Sequence, residues 1–167
     1  MNCIKIGLPG KLILRDYLHE NMTSQRPFFL LRIRFPGRPI FYTIASSPMG
    51  PFKLLSLPFK LFGAEIGGAT AYADPAAPSD AFFIYSQKPG VGNNQTRTMT
   101  VAKLTQDWRN VSAITATFPG HLEGPAMFFN QREGLYYMWT SHTRGWNGSP
   151  AVVHSSSTMA GSEWKQG

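Results

Sequence analysis

The chain has 167 residues, a net charge of +7 and an apolar fraction of 43%, which is enough to bury the core of one domain. Only 15% of the residues are charged, while glycine and proline number 16 and 13, a balance that favours short strands joined by tight turns over long helices. The single cysteine, Cys3, excludes an internal disulfide, and the four histidines lack metal-ligand spacing, so we expect no metal site and no cofactor.

The positive charge does not indicate a nucleic-acid partner. The basic residues are scattered, and the densest group, Arg32, Arg34 and Arg38, lacks the aromatic-rich motifs of RNA-binding proteins. No apolar run reaches the length of a transmembrane span. We therefore expect no nucleic-acid partner and no transmembrane segment in this chain, and we expect the protein to be a monomer.

The cellular location stays open between two alternatives. The glycosylation acceptor pattern occurs four times and favours the secretory pathway, but no signal peptide is recognisable at the N-terminus. Either the chain is internal or its true N-terminus is missing. The acceptor asparagines are Asn21, Asn94, Asn110 and Asn147.

Taken in chain order, residues 1–38 form a segment that matches no pattern, and a repeat begins at position 39. Residues 39–52 and 151–164 each read as a strand followed by a serine-rich turn, a glycine and an aromatic residue. Between them, an aromatic strand at 81–86 leads to a second strand at 99–108. A repeat of about 50 residues built only from strands is typical of propeller blades, with a β-sandwich as the alternative.

The segment that begins at His121 contains the candidate catalytic residue. Glu123 precedes Gly124 and Pro125 at the start of an aromatic strand pair, where exclusion of water would favour a protonated carboxyl group. The alternative is a glutamate that caps or ion-pairs at a blade turn.

Five segments together resemble glycoside hydrolase family 43, and within it the exo-β-1,3-galactanases. The resemblance covers about residues 39–167. The segments are Ser46–Phe52, Thr70–Tyr85, Val101–Asp107, Glu123–Phe128, and Tyr136–Ser141 with Gly145 and Trp146.

The resemblance implies an all-β fold, a five-bladed β-propeller that is incomplete here because the chain has room for about three blades. It also implies inverting hydrolysis of a β-1,3-galactan with Glu123 as general acid. A polysaccharide or oligosaccharide is then the substrate.

Sugar binding needs flat aromatic faces and polar groups that reach the ring hydroxyls. We expect Trp146 to supply the face, although a core position is an equal alternative, and we expect Trp139 and Trp164 to lie in the core. The polar candidates are His142, Arg144 and Asn147, and a glycan on Asn147 would block the pocket.

The sequence also departs from the family pattern. Gly67 and Gly68 stand where the family carries an arginine and the aspartate that tunes the acid, and the catalytic base is not recognisable. Glu65 and Asp74 are possible substitutes for the aspartate. Alternatives are therefore an arabinan- or xylan-directed hydrolase, a non-catalytic carbohydrate-binding propeller, and an inactive fragment.

Overall fold

The computed structural model describes residues 11–14, 28–33, 40–45, 49, 51–54, 65–88, 97–106, 108, 110–143, 148–161 and 163–167. All regular elements within these ranges are strands, as the composition predicts. None of the described residues belongs to a helix of the length and apolarity that a membrane span requires. The chain divides into two compact units, Met1–Glu65 and Ile66–Gly167.

The first unit contains one four-stranded sheet in which each strand is hydrogen-bonded to the next along the chain. Strands β2 and β3 pair from Phe28 opposite Ala45 to Ile33 opposite Ile40. Residue 38, where we predict a division of the chain, lies outside the described residues. The strands are β1 (Lys11–Leu14), β2 (Phe28–Ile33), β3 (Ile40–Ala45) and β4 (Lys53–Leu54).

The second unit contains two more four-stranded sheets with the same sequential order, which is the arrangement of propeller blades. The predicted strand pair of 81–86 with 99–108 is confirmed, because β6 pairs with β7. In the second sheet β10 pairs with β11 in the same way. One sheet consists of β5 (Glu65–Ala73), β6 (Ala81–Lys88), β7 (Thr98–Leu104) and β8 (Val111–Phe118). The other consists of β9 (Leu122–Asn130), β10 (Leu135–His142), β11 (Ala151–Ser156) and β12 (Lys165–Gln166).

A hydrophobic core joins the two sheets of the second unit. Alternation along β10 buries Tyr136, Met138 and Thr140 and leaves the residues between them on the other face. Met138 is completely buried, so its truncation to alanine would cost about 2–5 kcal/mol. The buried members of the core are Phe82, Ile84, Met99, Val101, Phe118, Leu122, Tyr136, Met138, Val152 and Met159.

Of the two tryptophans predicted to lie in the core, one packs against it and the other does not. Trp164 packs against the core, edge-on to Phe118 with 5.6 Å between ring centroids. Trp139 is 39% exposed, so the prediction for this residue is wrong. The reason is its register: Trp139 follows Met138 along β10 and therefore lies on the face opposite to the core.

Candidate functional site

The Glu-Gly-Pro segment forms a β-bulge at the start of β9. Glu123 pairs with Ser141 and Ala126 pairs with Trp139, so Gly124 and Pro125 together lie opposite the single residue Thr140. Gly124 has a φ of +61°, the left-handed conformation that a glycine adopts in one common bulge type. Pro125 fits here because a bulge tolerates the loss of a backbone donor. The bulge therefore sets the direction of the strand immediately after Glu123.

The carboxylate of Glu123 has no hydrogen-bond or ion-pair partner among the residues that the structure describes. Its side chain is partly buried, and the neighbouring Ser141 hydroxyl donates to the Glu123 carbonyl oxygen at 3.4 Å rather than to the carboxylate. Four other acidic residues have described partners. These pairs are Asp74 with Tyr136, Asp80 with Lys103, Glu133 with Tyr137, and Glu163 with Ser157.

Gly68 lies directly against the bulge. A Cβ atom at position 68 would be 3.0 Å from the backbone nitrogen of Gly124 and 3.9 Å from Cδ of Pro125. Strand β5 therefore lies close to β9 at a residue that lacks a side chain. The position at which the resemblance implies a tuning aspartate has no space for one unless the backbone moves.

Asp74 does not replace that aspartate. It is 5% exposed and accepts hydrogen bonds from the Tyr136 hydroxyl at 2.8 and 3.0 Å and from the amide of Ala76 at 2.9 Å. Tyr136 is five residues from Ser141 along β10, or about 17 Å at the rise of a strand, and Ser141 is the partner of Glu123. Burial and then the bond to Asp74 raise the pKa of Tyr136, so this pair is a structural contact at the far end of the strand. For Glu65 the structure gives only its place as the first residue of β5.

The turn before Glu123 is held in a strained conformation by backbone contacts. His121 has a φ of +57°, which is uncommon for a residue with a side chain. Its amide donates to the carbonyl oxygen of Arg97 at 2.9 Å, and its own carbonyl oxygen accepts the amide and hydroxyl of Thr143, each at 2.7 Å. These bonds bring the first residues of β7 and β9 and the end of β10 together around Glu123.

His142 lies at the same end of the sheet but on the other face from Glu123. Directly paired residues share a face, and His142 pairs with the buried Leu122. Its Nδ1 lies 3.1 Å from the carbonyl oxygen of Gly120, and its amide donates to the Ser149 hydroxyl at 3.0 Å. The other three predicted sugar contacts lie outside the described residues. They are Arg144, Trp146 and Asn147.

Sequence reasoning missed two residues that the fold brings to this end of the sheets. Arg97 and Ser86 both point toward Gly67, which is adjacent to Gly68. The only signal in the sequence was the glycine pair itself, since a glycine inside a strand often marks a close approach of other groups.

Comparison with known proteins gives a clear result for structure only. No protein-family model and no curated protein sequence matches the chain. A variant of an exo-β-1,3-galactanase from Phanerochaete chrysosporium, solved with β-1,3-galactotriose, has a TM-score of 0.74 at 21% identity, covering 94% of this chain and 34% of that one. An exo-β-1,3-galactanase from Clostridium thermocellum has a TM-score of 0.70 at 18% identity, covering 93% and 34%.

A third structure extends the similarity to a galactosidase. It is a family 43 β-1,3-galactosidase with galactodeoxynojirimycin, and it has a TM-score of 0.70 at 19% identity, covering 93% of this chain and 56% of that one. The chain thus spans between a third and somewhat more than half of the length of these structures. The expected fold class, an all-β incomplete propeller with about three blades, is confirmed, and its fold is similar to part of the glycoside hydrolase family 43 enzymes.

Proposed function

We propose that this chain is part of a glycoside hydrolase that cleaves β-1,3-galactan by inverting hydrolysis, with Glu123 as the general acid. The observation that carries the proposal is the free carboxylate of Glu123 at the bulge, in a fold shared with enzymes named for this substrate. A glutamate that served only to cap a turn or to form an ion pair would have a partner, and the described residues supply none.

In this reaction Glu123 donates its proton to the oxygen of the departing sugar as the glycosidic bond breaks. A base on the other face of the sugar activates water, at about 6.5–9.5 Å from the acid. The strained His121 turn and the Gly124 bulge fix the backbone on both sides of Glu123, which limits the directions its carboxyl group can take. Trp146, Arg144, Asn147 and His142 remain our candidates for binding the sugar, with His142 at the end of β10 on the face opposite to Glu123.

The test compares Glu123→Gln with the parent chain on two substrates. On β-1,3-galactotriose we expect kcat to fall by about 10²–10⁴, the contribution of a general acid, while KM changes little. On an aryl β-galactoside with an activated leaving group, which needs no protonation, we expect a much smaller loss. NMR of the first product should show inverted configuration at the anomeric carbon.

Glu133→Gln is the matched control, because Glu133 is exposed and its carboxylate accepts a hydrogen bond from the Tyr137 hydroxyl at 2.6 Å, away from Glu123. It should leave both reactions unchanged. Equal turnover of galactotriose by Glu123→Gln and the parent chain would show that Glu123 is not the general acid. Cleavage of xylan or arabinan in place of galactotriose would show that the substrate is a different polysaccharide.

A non-catalytic carbohydrate-binding role is the second candidate. It is favoured by one observation on the acidic side chains that the structure describes. Apart from Glu123, each of their carboxylates already has a hydrogen-bond or ion-pair partner, so none of them is free to act as the base. Binding of β-1,3-galactotriose by calorimetry without any turnover would select this function over hydrolysis.

A further inference from the structure

We propose that Asn110 is an acceptor site for an N-linked glycan, attached where the turn between β7 and β8 ends. The proposal concerns a modification, goes beyond the proposed function and does not depend on it. Its starting point is the pattern Asn110-Val111-Ser112, which matches the glycosylation signal. The other three acceptor asparagines lie outside the described residues, so this is the one whose surroundings the structure shows.

The acceptor atom, Nδ2 of Asn110, is available at the surface. The side chain is exposed, and its other polar atom, Oδ1, accepts the amide of Val111 at 2.8 Å. The backbone of Asn110 closes the turn, because its amide donates to the Thr105 hydroxyl at 3.1 Å and its carbonyl oxygen accepts the Thr105 amide at 2.8 Å. None of these bonds uses Nδ2. A sugar on this atom therefore displaces no contact that holds the turn.

A glycan at this position would leave the surroundings of Glu123 free. Asn110 immediately precedes β8, and Glu123 follows the other end of that strand. The seven steps from Val111 to Phe118 span about 22 Å at the rise of a strand. Glycosylation here is thus compatible with the candidate site, whereas a glycan on Asn147 would block the predicted sugar pocket.

The glycan would also cover an open edge of the sheet. Strand β8 is the last in its sheet, and Ser112, Ala113 and Ile114 near its start are exposed, Ile114 by 47%. Further along the edge, the carbonyl oxygen of Thr115 accepts the amide of Gly161 at 2.9 Å. Open edges and exposed apolar side chains favour association between chains, and a bulky, solubilising glycan beside the open part opposes it.

The bonding of Ser112 indicates that the sugar is added before the chain folds. The signal requires a hydroxyl group two residues after the asparagine. In the folded chain this hydroxyl donates to the carbonyl oxygens of Lys103 and Leu104, at 3.1 and 3.3 Å. Ser112 is also the extra residue of a β-bulge, since Ala113 pairs with Lys103 and Val111 with Leu104. Its single donor is free for the transferase only before β7 and β8 pair.

The transfer forms one bond and breaks one. Its co-reactant is an oligosaccharide linked through N-acetylglucosamine to a lipid pyrophosphate. Nδ2 of Asn110 forms a bond to the anomeric carbon of the N-acetylglucosamine while the bond from that carbon to the pyrophosphate oxygen breaks. The lipid pyrophosphate leaves with the electron pair, and Nδ2 loses one proton to a base of the transferase. No group is oxidised or reduced.

The test expresses the full chain behind a cleavable signal peptide in a eukaryotic secretory host. Peptides are released with peptide N-glycosidase in isotopically labelled water, which turns each glycosylated asparagine into a labelled aspartate. Mass spectrometry should find the label at position 110 in most molecules. Because transfer precedes folding, the label is measured on total cell protein, so a variant that fails to fold still reports its acceptor.

Three variants separate the glycosylation signal from other effects of substitution. Asn110→Gln should remove one glycan, which is seen as one step in gel mobility. Ser112→Ala should remove the same glycan while leaving Asn110 in place, and Ser112→Thr should keep it because threonine supplies the hydroxyl group.

Asn130→Gln is the matched control. Asn130 also holds a turn, and its Oδ1 accepts the amides of Arg132 and Glu133 at 3.1 and 3.4 Å, but it has no serine or threonine two positions later. The number of glycans should stay the same in this variant. The proposal is overturned if position 110 is unlabelled in the parent chain, or if Ser112→Ala has as many glycans as the parent chain. Neither readout depends on galactan hydrolysis.

Discussion

The backbone of Gly124 lies so close to Gly68 that a Cβ atom at position 68 would be 3.0 Å from the Gly124 amide nitrogen. This contact joins the first strands of two neighbouring sheets at the point where the candidate acid is attached. The departure from the family pattern at position 68 is thus tied to the local packing of the bulge.

Gly68→Ala should destabilise the chain by about 1–3 kcal/mol, because the added methyl group overpacks against backbone that the bulge holds in place. Gly148→Ala is the control, since a Cβ atom there meets nothing within 4 Å. Urea unfolding of the two variants measures the difference. Equal midpoints would mean that the backbone at Gly124 yields without cost.

Gly124→Ala should lose about 1–2 kcal/mol for a different reason, namely its φ of +61°. Steric crowding is not the cause, because the new Cβ atom would lie 3.6 Å from the Ser141 hydroxyl, an ordinary contact. Gly124→Asn should cost less than Gly124→Ala, as asparagine tolerates the left-handed region. If alanine and asparagine cost the same in unfolding experiments, strain at this φ does not control stability.

The sequence predicted the strands well because their signals are local. The aromatic run at 81–86, for example, is recognisable as a strand from its own residue types. The position of Glu123 at a strand start was likewise predictable from the glycine and proline that follow it.

The arrangement of the site depended on partners far away in the sequence. The pairing register between β9 and β10 decides which side chains face the core. It places Trp139 on the face away from the core, and it places Glu123 and His142 on opposite faces. The approach of Arg97 to Gly67 depends on the packing of three strands, and no spacing rule expresses it.

The environment of His154 leads us to expect that the free energy of unfolding decreases at acidic pH. Its ring is 5% exposed, packs 4.7 Å from that of Phe118 and has a buried Nδ1 without a partner among the described residues. Burial lowers the pKa of His154 below 6.5. Above that pH the ring is neutral in both states. As the pH falls below 6.5, the unfolded chain takes up the proton before the folded chain does, so the free energy of unfolding decreases.

His154→Gln should therefore flatten the decline in the free energy of unfolding between about pH 7 and pH 5. His121→Asn is the control, since His121 is exposed and asparagine tolerates its positive φ. Urea titrations at several pH values provide the measurement. If the free energy of unfolding declines with falling pH as steeply in His154→Gln as in the parent chain, another group causes the acid sensitivity.

The exposed face of the β9–β12 sheet contains a cluster of three aromatic rings. Phe128 lies 5.0 Å from Tyr137 at an interplanar angle of 9° and 4.6 Å from Trp139 at 19°, and Tyr137 and Trp139 are 6.3 Å apart, so the three ring centroids form a triangle. Phe128 is five residues from Glu123 along β9, or about 17 Å at the rise of a strand. We therefore expect this cluster to stabilise the sheet and not to bind galactan.

Double-mutant cycles with alanine test this arrangement. The pairs Phe128–Tyr137 and Phe128–Trp139 should each give a coupling free energy of about 0.5–1.5 kcal/mol. Tyr137 and Trp139 are farther apart, at 6.3 Å, so their coupling should be smaller than either. Trp139→Ala should leave galactotriose affinity unchanged in calorimetry. A large loss of affinity in that variant would mean that the aromatic cluster does take part in sugar binding, whatever the coupling energies are.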